Sequence, residues 1–147
     1  MTGRSRARAA SRLAAVQALY QIDMEGTPLA MLLDEFHRHR LGAEIEGDQY
    51  AAADVAFFDD VVKGVAARRD EIDEALSGKL AEGWRLERLD KTMLQILRAG
   101  AWELMARPDV PTGSAISEYV DVAHAFFEAR EAKFVNGVLD GVAKVVR

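Results

Sequence analysis

The chain has 147 residues, half of them hydrophobic, with no cysteine and a formal net charge of -5. Its length bounds it to one domain able to bury roughly 70% of its unfolded surface. Lack of cysteine excludes a disulfide framework and thiolate metal sites and agrees with a reducing cytosol. No apolar run approaches the roughly 20 residues of a membrane span, and the basic N-terminus leads into an amphipathic pattern and not a signal-peptide core, so the expected setting is soluble and cytoplasmic. The net charge hides an asymmetry: Arg4, Arg6, Arg8 and Arg12 precede the first acid, Asp23, leaving 15 basic against 24 acidic side chains, or -9, in the remainder. A basic arm on an acidic body points to a localised anionic partner.

Residues 4–24 read as a first helix, rich in alanine and arginine, with Leu13, Val16 and Tyr20 on its inner face. Arg4, Arg8 and Arg12 share another face over about 12 Å of axis. Gly26 stops this helix; Thr27 is placed to cap the next, with Pro28 at its first position. Leu29, Leu32, Leu33 and Phe36 give a short second helix ending in His37-Arg38-His39-Arg40, where cations suit the helix dipole. Residues 41–49, with Gly42 and Gly47, are the most loop-like stretch. A third helix is expected from about Tyr50 to Ala67, with Val55, Phe58, Val61, Val62 and Val65 inward. Ile72 and Leu76 mark a fourth before Gly78.

The stretch from Leu80 to Leu89 is apolar but irregular, and Gly83 weakens a helix there. A fifth helix from about Asp90 to Ala106 carries Met93, Leu94, Leu97, Ala101 and Leu104 on one side. Pro108 and Pro111 enclose a turn, and Ser114 is placed to cap a sixth helix with Ile116, Val120, Ala123 and Phe127. From Glu131 to Arg147 a last helix sets Phe134, Val135, Val138, Leu139, Val142, Val145 and Val146 on one side. Lys133, Asn136, Gly137, Asp140 and Lys144 fall on the other. Gly137 and Gly141 each cost roughly 1 kcal/mol relative to alanine, which makes sense where a helix or a ligand approaches the backbone. With no sustained alternation anywhere, the fold class is all-α. About seven helices form two small stacked bundles, an N-terminal subdomain of about 1–78 and a C-terminal one of about 79–147.

Few patterns carry chemistry. Glu118, Asp121 and His124 share a helix face without a second histidine, and a solvated face explains them better than a metal. Walker, GxGxxG, GxSxG and HExxH patterns are all missing, so no catalytic residue, cofactor or metal is expected. The arginine arm says more, because guanidiniums bind phosphate oxygens in pairs and stack on unpaired bases. An ordinary solvated first helix is the competing account. Trp102 lies off the inner face of the fifth helix with Gln95 and Arg98, where packing against the other bundle is its expected role.

Three stretches together resemble the NusB family of bacterial transcription antitermination factors: SRARAASRLAAVQALYQ, FFDDVVKGV, and the run from Leu89 through RAGAWELMARPDVPTGSAISEYVDVAHAFFEAREAKFVNGVLD. The resemblance implies a non-enzymatic protein that binds the boxA element of nascent ribosomal RNA transcripts. It implies action together with NusE, a small-subunit ribosomal protein, in the RNA polymerase antitermination complex. Carried over by position, Arg4, Arg6, Arg8, Arg12, Gln17 and Tyr20 belong to the RNA-binding arm. Lys133, Phe134, Asn136 and Gly137 match the C-terminal signature, and the two groups are expected to serve one RNA groove. Trp84, Glu87, Asp90, Gln95 and Arg98 match the part that faces NusE. Ser117, His124, Phe127 and Arg130 depart from the family's usual asparagine, lysine, glycine and acidic residue, and Arg130 is expected to add phosphate attraction. A protein-interaction module or a self-associating homodimer with a covered RNA surface is the alternative. An enzyme fragment is disfavoured by the lack of a βαβ pattern.

Overall fold

The computed structural model describes residues 3–41 and 54–147; residues 42–49 of the loop expected at 41–49 and the helix start expected at Tyr50 lie outside them. The regular elements among the described residues are helices, in the order α1 (Gly3–Glu25), α2 (Leu29–His39), α3 (Val55–Ala67), α4 (Arg69–Ser77), α5 (Lys91–Ala106), α6 (Thr112–Phe126) and α7 (Ala129–Val146), with a 3-10 turn at Leu86–Arg88. The all-helical expectation thus holds. None of these helices is long and apolar enough to cross a membrane. Two compact units emerge, Met1–Lys63 and Gly64–Arg147. Grouping α4 with the first three helices does not match its packing, because α4 lies on α5 and α7.

In the first unit, α1 buries Ala14, Ala15, Val16, Ala18 and Leu19, while Tyr20 is 40% exposed. Small side chains therefore set this helix's inner face, and Tyr20, expected inside, stands at its edge. Leu32, Leu33 and Phe36 of α2 and Phe57, Phe58, Val61 and Val62 of α3 complete the core, with Phe36 stacked on Phe58 at 5.5 Å. Val55, expected inward, is exposed in the first turn of α3. Thr27 does not cap α2: its N-cap is Pro28, without a side-chain bond, and Thr27 Oγ1 instead accepts from Gln21 Nε2 at 3.4 Å. His37 Nε2 meets Asp59 Oδ1 at 2.6 Å, tying α2 to α3.

The second unit is built around α5, buried all round from Met93 to Leu104 as a central helix must be. Asp90 caps it, accepting from the backbone N–H groups of Thr92 and Met93. Its buried polar groups find partners: Arg98 donates two hydrogen bonds to Asp73, at 2.8 and 2.9 Å, and Tyr119 donates its hydroxyl to Glu103 at 2.9 Å. Trp102 lies over the backbone of Gly64, where a Cβ would come within 2.1 Å of the indole nitrogen. Gly83 has φ +87, a conformation that suits glycine and ends the run before the 3-10 turn.

Ser114 lies inside α6, which starts at Thr112 after Pro111, so it is not the cap. Tyr119 fills the core position on α6, and Phe127 falls just past its end. On α7, Val135, Val138, Leu139 and Val142 are buried as expected, but Val145 is 69% exposed. The Arg147 guanidinium donates to the carbonyls of Leu104, Arg107 and Val110, which pins the α5–α6 turn to the end of α7.

Candidate nucleic-acid interface

Two surfaces carry the residues that the sequence singles out. The first is the start of α1. Arg6 is exposed there, whereas the Arg4 side chain lies outside the described residues. Arg8 and Arg12, one turn apart, lay their guanidiniums over the ring of Phe57, 4.8 and 4.9 Å from its centroid. Arg8 Nε also stands 3.8 Å from Asp54 Oδ2. Arg12 is only 4% exposed. Their shared face is turned onto α3, but Arg8 keeps 18% of its side chain in solvent, whereas Arg12 is withdrawn from the phosphate-binding role expected of it.

The local chemistry explains that orientation. Asp54 precedes α3 and accepts from the Phe57 N–H at 2.9 Å, which starts the helix and fixes the aromatic ring. Ser11 Oγ donates to Asp54 O at 2.7 Å, and Asp54 N donates to Ala7 O at 3.3 Å. Those bonds hold α1 against the start of α3. A planar guanidinium then gains more over an aromatic face, out of water, than it would in solvent. Gln17 and Tyr20 remain exposed further along α1.

The second surface lies where the 84–93 segment meets α7. Trp84 is 59% exposed, and its ring faces Phe134 with centroids 6.0 Å apart and planes inclined by 32°. Both line a cavity of about 620 Å³ with Arg88, Leu89, Asp90, Met93, Phe127, Arg130 and Glu131. Residues assigned separately to a protein partner (Trp84, Asp90) and to RNA (Arg130, Phe134) thus share one pocket. Arg130 is 93% exposed in its side chain, with Nη2 3.5 Å from Glu131 Oε1. Glu131 Oε2 is buried without a hydrogen-bond partner among the described residues.

Beyond the pocket, Lys133, Asn136, Gly137 and Asp140 form an exposed stripe on α7. Asp140 pairs with Lys144 at 3.1 Å. Among the described residues nothing comes within 4 Å of a Cβ built on Gly137, and no described helix packs on that glycine; at Gly141 the Lys79 stem comes to 3.1 Å. Glu87 is exposed, but Gln95 and Arg98, expected to face a partner, are 1% and 5% exposed. The acidic partner of Arg98, Asp73 on α4, draws that guanidinium inward.

Phe127, Arg88 and Glu131 entered no site expected from the sequence. Arg130 and Glu131 stand four and three residues before Phe134 on α7, the spacing of one helix face, and that periodicity was the signal available for the α7 side of the pocket; Phe127 joins it from the extended backbone that ends α6. Among the described residues, no three His, Asp or Glu side chains lie close enough together to hold a metal ion.

An arginine-bearing first helix, a buried α5 and the KFVNGVLD helix thus define an all-helical fold. It superposes on T. maritima NusB with a TM-score of 0.76, at 29% identity, over 93% of this chain and 90% of that one. A crystal structure of the antitermination factors NusB and NusE in complex with dsRNA shares the fold, with a TM-score of 0.75 at 23% identity over 95% of this chain and 98% of that one. The chain belongs to the NusB family, whose model matches residues 9–144. The transcription antitermination protein NusB of Novosphingobium aromaticivorans is 78% identical over 97% of this chain and 96% of its own length.

Proposed function

We propose that this chain is a non-enzymatic antitermination factor of the cytoplasm. In this reading it binds boxA RNA of nascent ribosomal RNA transcripts together with NusE and joins the RNA polymerase antitermination complex. What carries the reading is the family match over residues 9–144, which takes in both the VQALY helix and the KFVNGVLD helix. The assembly of NusB and NusE on RNA in a protein of the same fold supports the choice of partners.

Arg4, Arg6 and Arg8 supply phosphate contacts from the arm, while Arg12 braces it through Phe57. Lys133 and Arg130 add positive charge on the second unit, and Asn136 offers an amide that both donates and accepts, as base reading requires. An uncovered Gly137 lets a ribose or phosphate come close to the helix backbone. Gln17, Tyr20 and Phe134 provide polar and aromatic contacts for splayed bases. Trp84, Glu87 and Asp90 are the exposed members of the NusE-facing group, whereas Gln95 and Arg98 support that face from inside. Acidic side chains elsewhere keep RNA from other surfaces and favour a basic ribosomal partner.

The test is titration of a boxA-like oligonucleotide at several salt concentrations. Four arginine–phosphate contacts would give a log–log slope of about -3, and withdrawal of Arg12 lowers the arm's share to about -2. Replacing Arg4, Arg6 and Arg8 with alanine flattens the slope by that amount and leaves helical content intact. An unchanged slope contradicts the arm's role.

A further inference from the structure

We infer that the cavity between Trp84 and Phe134 is a base-reading pocket for one unpaired guanine of the bound RNA, with Glu131 as the group that reads it. The inference rests on the RNA-binding reading above and adds to it a ligand and a selectivity. Three observations on one pocket carry it. Its walls are aromatic and apolar: Trp84, Phe134, Phe127, Met93 and Leu89, around about 620 Å³. That volume falls in the range of sites that take small planar ligands. Its rim holds the guanidinium of Arg130 and the side chain of Arg88, which suit a flanking phosphate. Its third feature is Glu131 Oε2, an acceptor buried without a donor.

A buried carboxylate oxygen without a donor is costly, and it calls for an N–H group. The aromatic walls call for a flat ring, since a base stacks on an indole face whatever its identity. Together they describe a nucleobase that presents N–H donors to a carboxylate, a group that can only accept. Guanine satisfies this best. Its N1–H and N2–H groups are adjacent donors on the Watson–Crick edge. Adenine and cytosine set a ring-nitrogen acceptor beside the amino group, and uracil flanks its single N–H with two carbonyls, each of which would face the carboxylate's charge. Position also favours Glu131 over Asp90, the other acid on the pocket. Asp90 Oδ1 is already committed to the backbone N–H groups of Thr92 and Met93. Trp84 stays largely in solvent until a ring covers it, so the pocket gains most when filled.

The test uses the full chain and fluorescence anisotropy with boxA-like oligonucleotides in which each position is varied through the four bases. Wild type should show one position at which guanine binds roughly tenfold tighter than the other bases, the discrimination a well-placed charged hydrogen bond provides. Glu131→Gln, an isosteric change on an accessible helix start, should erase that preference and leave the salt slope unchanged. Trp84→Ala, at a largely exposed residue, should weaken binding about tenfold at that position for every base. Binding with no guanine-preferring position, or a preference that survives Glu131→Gln, overturns the pocket and leaves the RNA-binding reading standing. Trp84→Ala that weakens only NusE binding also overturns it, since the occupant is then a protein side chain. Failure of wild type to bind any RNA in the panel overturns both readings.

Discussion

Replacing Arg12 with alanine should damage the fold and not the RNA contact, the reverse of what its place in an arginine arm suggests. Arg12 is 4% exposed and its guanidinium lies 4.9 Å from the Phe57 centroid. Alanine removes a desolvated cation–π contact of about 2 kcal/mol. It also removes two buried methylenes, at about 0.8 kcal/mol each. Release of a long, ordered side chain returns about 1.5 kcal/mol of entropy. The net loss is about 2 kcal/mol, which for a chain near 150 residues lowers Tm by about 4–8 °C. Arg6→Ala, at an exposed residue, should change stability by no more than about 0.5 kcal/mol. At temperatures where both variants are folded, Arg6→Ala should reduce the RNA salt slope by about 0.7, and Arg12→Ala should leave it unchanged. Thermal melts followed by circular dichroism and salt-dependent anisotropy read the two quantities. An Arg12→Ala protein that melts with wild type and loses as much slope as Arg6→Ala would refute this division of labour.

Three further outcomes follow from the packing. Gly64→Ala drives a methyl to within 2.1 Å of the Trp102 indole nitrogen, so urea denaturation should register a loss of about 1–3 kcal/mol, much of it restored by Trp102→Leu in the same chain. Tyr119→Phe removes the hydroxyl donor to buried Glu103 and should cost about 1–3 kcal/mol in the same assay while RNA affinity holds. The pH dependence of stability should include a small contribution from Glu71, whose carboxyl is held below the ordinary glutamate range by the hydrogen bond from Arg68. A depressed folded-state pKa stabilises above the unfolded pKa and is lost as pH falls through the folded one. Glu71→Gln should therefore lower Tm slightly near pH 7, leave it unchanged in acid below the folded-state pKa, and so flatten the acid limb of a Tm-against-pH curve.

Much of the fold was legible because periodicity and punctuation agree along the chain. Ile72 and Leu76 before Gly78, the stripe from Met93 to Leu104, and the KFVNGVLD face all lie in helices whose bounds differ by a few residues from those expected. The misreadings share one cause. Spacing assigns a residue to a face but does not say what that face meets. Arg8 and Arg12 share a side of α1, yet only the position of Phe57, 45 residues after Arg12, turns that side into a packing surface. Gln95 and Arg98 read as polar and outward, but Asp73 on α4 makes burial of Arg98 affordable through a two-bond pair. Trp84 and Phe134 are 50 positions apart, and nothing local to either announces their pairing. Turn chemistry misled at Thr27 and Ser114, because α2 and α6 begin directly after Pro28 and Pro111 without a side-chain cap.

The most direct measurement is the affinity of the purified chain for a short boxA-like RNA against a scrambled sequence of equal length, each with and without NusE. Tighter binding of the boxA-like RNA, strengthened further by NusE and weakened by salt, is the predicted result. Equal affinity for the two sequences, indifferent to NusE, would contradict it.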